Sequence, residues 1–243
     1  QRVASARRIR IKFLGVWDTV SSVIVPRAGH PLGLQKLPYT RSNPSVRIFR
    51  HAMAIDERRR MFRLAPWTDP PNFVENPFDK NADDVAQDIR QVWFAGVHSD
   101  VGGGYPETES GLSKFPLVWM LQEAVTHGLK INQAMLNHLA HGDARANSSH
   151  HYVPPDATAM QHDSMTGAWP VLEYLPKRVV HQQWPARASV AGFYLPQCEP
   201  RLIDNGARLH WSVIERQRLL AAYQPINLPP DFVIEGSPEE QAQ

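Results

Sequence analysis

Cysteine is almost absent. Cys198 is the only one in the chain, which rules out an internal disulfide and a cysteine-rich zinc site. No apolar run approaches the roughly 18 residues needed to cross a bilayer. The opening stretch QRVASARRIRIKF lacks the apolar centre of a signal peptide. An excess of one charge is missing too. Lys and Arg number 26 against 24 Asp and Glu, a formal +2, so composition gives no reason to expect nucleic acid or another polyanion as partner. There are no internal repeats and no low-complexity segment. The chain also lacks an initiator methionine and starts a few residues before a strand pattern, so Gln1 reads as a cut edge.

What is present suits one large domain. The 243 residues are 42% hydrophobic, enough for a substantial core. IRIKFLGVW, β-branched and aromatic, reads as a buried strand followed by a loop at DTVSS. Four prolines between residues 24 and 47 suggest mostly loop. The spacing of His51, Ala52, Ile55 and Arg59 predicts a helix from about Val46 to Arg59. After a proline-rich loop, QVWFAGV reads as a second near-continuous apolar strand. GLSKFPLVWMLQEAVTHGL reads as a helix with Leu117, Met120, Leu121, Ala124 and Val125 on one face, Ser113 as N-cap and Gly128 as C-cap. Further helices are expected in INQAMLNHLAH and RLHWSVIERQRLLAAY. The arginine runs in RVASARRIRIK and DERRRMFR read as solvated faces. The domain is expected to span residues 1–230, with a flexible tail over 231–243.

Both apolar strands end on an ionisable residue. FLGVW runs into Asp18 and VWFAGV into His98. Strands buried on both faces are typical of parallel sheets covered by helices, and in such sheets chemistry gathers beyond the carboxyl ends of the strands. An acid there could fix the tautomer of an imidazole and leave its other nitrogen to take a proton. Gly102, Gly103 and Gly104 follow, suited to a positive φ or a nest of N–H groups for an oxyanion. Asp100 is placed to hold that loop through backbone contacts. The triple glycine is no P-loop, because no Lys-Ser/Thr follows it. The alternative for each residue alone is structural: a turn-forming aspartate, a satisfied histidine.

GVWDTV, HAMAIDERRRMF, VWFAGVHSDVGGGY and HDSMTGAW, in this order, resemble the DUF2235 family. These are α/β-hydrolase-like proteins that include type VI secretion phospholipase effectors of the Tle1 kind. The resemblance implies an α/β fold, an α/β-hydrolase-like parallel sheet with flanking helices, incomplete here at its N-terminus. It implies a Ser-Asp-His triad with Asp18 as the acid and His98 as the general base. His51, Asp56, Glu57 and Arg58 would pack beneath the site. The substrate implied is a lipid or other ester, with transient membrane contact and no cofactor. The protein would be cytoplasmic in its producer and secreted without a signal peptide as an effector. The family's nucleophile sits in a G-x-S-x-G elbow, and this chain contains none. Ser5, Ser21, Ser22 and Ser164 all lack the elbow's frame. The expectation is a missing N-terminal segment that carries the serine and a neighbouring strand, so that the edge bearing Ile11, Phe13 and Val16 would promote association.

Two other functions remain open on sequence. A metal-dependent hydrolase could use His98 and Asp100 with Asp18 and Asp56. A decayed fragment could keep the fold without catalysis. The proline-rich segments 26–44 and 66–77 are candidates for a lid or cleft wall.

Overall fold

A computed structural model describes residues 10–20, 22–27, 30–36, 41–68, 72–73, 85–184 and 187–241. Most of the RVASARRIRIK run, Ser5, Ser21 and much of the 66–77 segment lie outside these residues.

The strands are β1 (Ile11–Trp17), β2 (Ser22–Arg27), β3 (His30–Lys36), β4 (Val46–Ala54) and β5 (Asp88–Phe94). The helices α1 (His98–Gly102), α2 (Gly111–Thr126), α3 (Gln133–Ala140) and α4 (Trp169–Glu173) follow. Short strands β6 (Lys177–Arg178), β7 (Ser189–Val190) and β8 (Phe193–Tyr194) precede β9 (Ala207–His210), α5 (Trp211–Leu219) and β10 (Phe232–Glu235). The main sheet has the order β1-β4-β5-β9-β10, and every pairing in it is parallel. Helices flank it, so the expected α/β class holds.

Alternate residues of the central strands feed opposite faces, as a two-fold side-chain period requires. Ala52, Ala54, Val92 and Phe94 meet Phe115, Trp119 and Met120 of α2. Met53, Ile55, Trp93 and Ala95 meet Ile203, Leu209 and Val213 on the other side. Val92 and Leu209 are fully buried, each contributing about 2 kcal/mol by removal from water. Arg50, 1% exposed, ties the layers together. Its guanidinium donates to both Asp88 oxygens on β5, at 3.0 and 2.8 Å, and to Glu123 on α2.

Several expectations are corrected. The segment from Val46 is strand β4, not a helix. Its seven residues from Ile48 to Ala54 are all buried, because parallel neighbours on both edges and cover on both faces leave no polar side. The 24–47 loop contains the antiparallel hairpin β2–β3. α2 begins after Ser110, not Ser113. Its buried apolar face is Leu112, Phe115, Val118, Trp119, Met120 and Ala124, while Val125 is exposed. Residues 207–210 form a strand before the last long helix. The expected flexible tail carries β10, which pairs with β9. Among the described residues β1 is one edge of the main sheet, with Ile11, Phe13 and Val16 half-buried. DERRRMFR is not a uniform solvated face. Only Arg58 is exposed, while Arg59 pairs with Glu57 and Arg60 donates to the carbonyls of Leu172 and Leu175.

Candidate active site

β1 and β5 flank β4, so their carboxyl ends open onto the same end of the sheet. Asp18 follows β1 directly and bends its backbone over the end of β4, where its N–H donates to Ala52 O at 2.7 Å. Its φ is +42°, a conformation in which an L-residue is strained by about 1–2 kcal/mol. That bend aims the carboxylate across β4. Oδ1 accepts the Ala54 N–H at 2.8 Å. Oδ2 accepts the Nδ1–H of His98 at 2.6 Å. An ionised carboxylate can only accept, so Nδ1 carries a proton, and in the neutral ring the lone pair is then on Nε2. No described residue hydrogen-bonds that Nε2, and the His98 side chain keeps 29% exposure.

Asp18 is fully buried. Burial on its own would raise the carboxyl pKa. The Arg201 charge, the bonds from His98 and Arg201 and the Ala54 N–H outweigh burial and hold it well below the usual carboxylate range. Arg201 donates to both oxygens, Nη1 to Oδ1 at 2.5 Å and Nη2 to Oδ2 at 2.9 Å. Nothing in the sequence marked this residue. It lies 183 positions from Asp18, in a loop with no periodicity.

His98 opens α1, and its backbone N–H donates to Glu57 Oε2 at 3.2 Å. Glu57 also takes the Arg59 N–H, both ends of the Arg59 guanidinium and the Ser164 hydroxyl. Burial pushes its pKa up, but the bonds and charge of Arg59 bring the net shift below the usual value. Beside the imidazole, the Phe62 ring stands edge-on at 4.9 Å between centroids. Phe62 in turn meets Trp169 at 5.6 Å and lies under the Arg59 guanidinium at 3.6 Å. His51 is buried behind the acid, accepts the Thr19 N–H at 3.0 Å, and is pushed down to about 4 by burial. Asp56 takes the Gly96 N–H at 2.7 Å and the Tyr223 hydroxyl at 2.9 Å. His51, Asp56 and Glu57 thus brace the site from below, while Arg58 is exposed and does not.

Asp100 bonds within the His98 loop and to His162. Its Oδ2 accepts Val97 N–H at 3.0 Å and His162 N–H at 3.2 Å, and its Oδ1 accepts His162 Nδ1–H at 2.6 Å. The Tyr105 ring stacks on His162 at 3.3 Å. The glycines do not form the expected anion nest. The N–H groups of both Gly103 and Gly104 are taken by Ser99 O, at 2.9 and 3.0 Å, and Gly103 at φ +77° is the helix C-cap. The glycine that the site requires is Gly96, at φ +112°, where a Cβ would meet Asp100 Cβ at 2.5 Å. A glycine inside an apolar strand pattern signals such a close approach, and that signal was present.

Ser164 is 93% buried, counting from its 7% exposure, and its hydroxyl is on Glu57, not His98. The side chain of Ser22 lies outside the described residues. Among the described residues no three His, Cys, Asp or Glu side chains are grouped to hold a metal ion. The set considered on sequence is split: Asp18 faces His98 and Arg201, Asp100 faces His162, and Asp56 faces Gly96 and Tyr223.

A helix-flanked parallel sheet with an acid and an imidazole joined at its carboxyl end defines an α/β-hydrolase-like domain. Residues 1–123 match the catalytic domain of T6SS phospholipase effectors of the Tle1-like kind. The chain belongs to this family. It is also similar to an uncharacterized protein of Saccharomyces cerevisiae, YEL023C, with 43% identity over 59 residues. That stretch is 23% of this chain and 9% of the yeast protein, so the chain spans under a tenth of that relative. No solved structure matches the chain. Among the described residues no helix is long and apolar enough to cross a membrane.

Proposed function

We propose that Asp18 and His98 are the acid and the general base of a Ser-Asp-His triad that hydrolyses a phospholipid ester. The observation that carries this is the 2.6 Å bond from His98 Nδ1–H to a fully buried carboxylate that Arg201 also grips. The family is one of phospholipase effectors of a secretion system, which supports a lipid substrate and delivery by secretion. In this reading Nε2 takes the proton of a serine hydroxyl as it attacks the ester carbonyl. The proton then passes to the leaving alcohol, and a water molecule repeats the cycle on the acyl-serine. Asp18 stabilises the imidazolium formed in each half-cycle. The serine comes from a segment bearing G-x-S-x-G, because the chain holds no such elbow. The Phe62–Trp169 wall beside His98 gives an apolar flank for an acyl chain. The catalytic unit extends past the span that matches the family, since Arg201 reaches back to Asp18.

The test is fatty-acid release from phosphatidylglycerol vesicles by the chain alone and by the chain joined to a G-x-S-x-G segment of its family, each with His98→Ala. Hydrolysis by the joined protein that is lost in His98→Ala supports the reading. Hydrolysis that survives His98→Ala, or that the chain alone carries out, overturns it.

A further inference from the structure

We propose that Arg201 is a positioning residue of the acid–base pair, gripping both carboxylate oxygens of Asp18 and thereby fixing the oxygen that meets His98. The proposal rests on Asp18 and His98 being that pair, and it adds a residue from outside the span that matches the family, 1–123.

The grip is over-determined. Each oxygen of Asp18 takes one guanidinium N–H and one other donor: Oδ1 from Arg201 Nη1 and Ala54 N, Oδ2 from Arg201 Nη2 and His98 Nδ1. Four donors leave the carboxylate no rotation that keeps them all. Arg201 is itself fixed. Nη1 also donates to Ala54 O at 2.9 Å and Nη2 to Phe62 O at 2.6 Å. The carbonyl of Arg201 accepts from Asn227 Nδ2 at 3.1 Å. The guanidinium therefore spans the acid, the end of β4 and the loop that carries Phe62.

Charge tells the same way. Arg201 is 2% exposed and Asp18 fully buried. With a neutral imidazole the buried group sums to zero, which keeps the carboxylate ionised at modest cost. Without Arg201 a buried carboxylate faces only neutral donors and is driven towards its protonated form. A protonated acid cannot stabilise an imidazolium. A lysine could supply the charge but not the planar fork that meets both oxygens.

The test is NMR on the full chain, wild type against Arg201→Met and Arg201→Lys. Two signals are read: the carboxyl carbon of Asp18 as a function of pH, and the low-field proton of His98 Nδ1–H. In Arg201→Met the Asp18 titration should move up by about 1–3 units, with loss of the low-field proton. In Arg201→Lys the titration should largely return while the low-field proton stays shifted or broadened, because one ammonium cannot hold both oxygens. If both signals stay where they are in wild type and only the melting temperature falls, Arg201 is structural and the proposal fails. If Arg201→Met does not fold, Arg201→Lys decides alone: an unmoved low-field proton overturns the proposal. Neither signal needs hydrolysis, so failure here is separable from failure of the triad reading, which the His98→Ala assay decides.

Discussion

Glu57→Gln tests how much of the site depends on one buried carboxylate. Glu57 is 1% exposed. Its Oε1 accepts from Arg59 N, Arg59 Nε and Ser164 Oγ, at 2.8, 2.9 and 3.1 Å, and its Oε2 from Arg59 Nη2 and His98 N, at 2.9 and 3.2 Å. Glutamine keeps the shape but turns one oxygen into a donor. The less harmful choice places the new NH2 at Oε2, where it faces two other donors. A buried ion pair broken at one partner costs about 3–5 kcal/mol. For a domain of this size each kcal/mol shifts the melting temperature by about 2–4 °C, so the loss at pH 7 should be roughly 6–20 °C. The pKa of Glu57 is depressed in the fold. Its stabilisation is therefore present above the unfolded value and lost as pH falls through the folded one. The gap between wild type and Glu57→Gln should be full at pH 7 and narrow well below about pH 4. Thermal melts followed by near-UV circular dichroism measure it. Amide exchange at His98 should accelerate in the variant, because its N–H loses its acceptor. Equal melting temperatures at pH 7, or a gap that does not narrow in acid, would refute the reasoning.

Two further outcomes follow from the bracing residues. Asp56 is pushed up to about 6, first by burial and against the bonds from Gly96 and Tyr223. A raised acid favours the fold least once both states are ionised, so Asp56 costs stability as pH rises through its folded pKa. Asp56→Asn can keep both accepted bonds on its amide oxygen, and should stabilise by about 2–3 kcal/mol at pH 8 and by little at pH 3.5, read from urea midpoints. Gly103→Ala should cost about 1–2 kcal/mol for its positive φ, with Gly103→Asn costing less. Gly96→Ala, whose Cβ would meet Asp100 Cβ at 2.5 Å, should cost more than either. Equal losses at Gly96 and Gly103 would count against the Asp100 brace.

The sequence was legible where local pattern and tertiary role agree. IKFLGVW and QVWF are apolar enough to require cover on both faces, and both are strands, with Asp18 and His98 bonded beyond their ends. VRIFRHAMA misled because two parallel neighbours let it bury Arg50 and His51. Polar residues in a fully buried strand mimic the polar side of a helix. β9 and β10 are four residues each, too short for a period of two to show against a polar background. Arg201 was illegible for a different reason. Its importance lies in what it touches, and contact across so many residues leaves no trace in spacing. Gly96 was legible but overshadowed by the three glycines after it.

Chain order has a consequence for synthesis. Asp18 and His98 emerge from a ribosome before Arg201, which reaches Asp18 from 183 positions beyond it. Until that loop is made, the carboxylate has no cation to hold it charged, and the loop bearing Phe62 has no guanidinium to hold it to β4. A nascent chain that stops short of Arg201 therefore carries both partners without their fixed geometry. The order of synthesis thus makes the geometry at the ends of β1 and β5 depend on a loop made more than a hundred residues after His98.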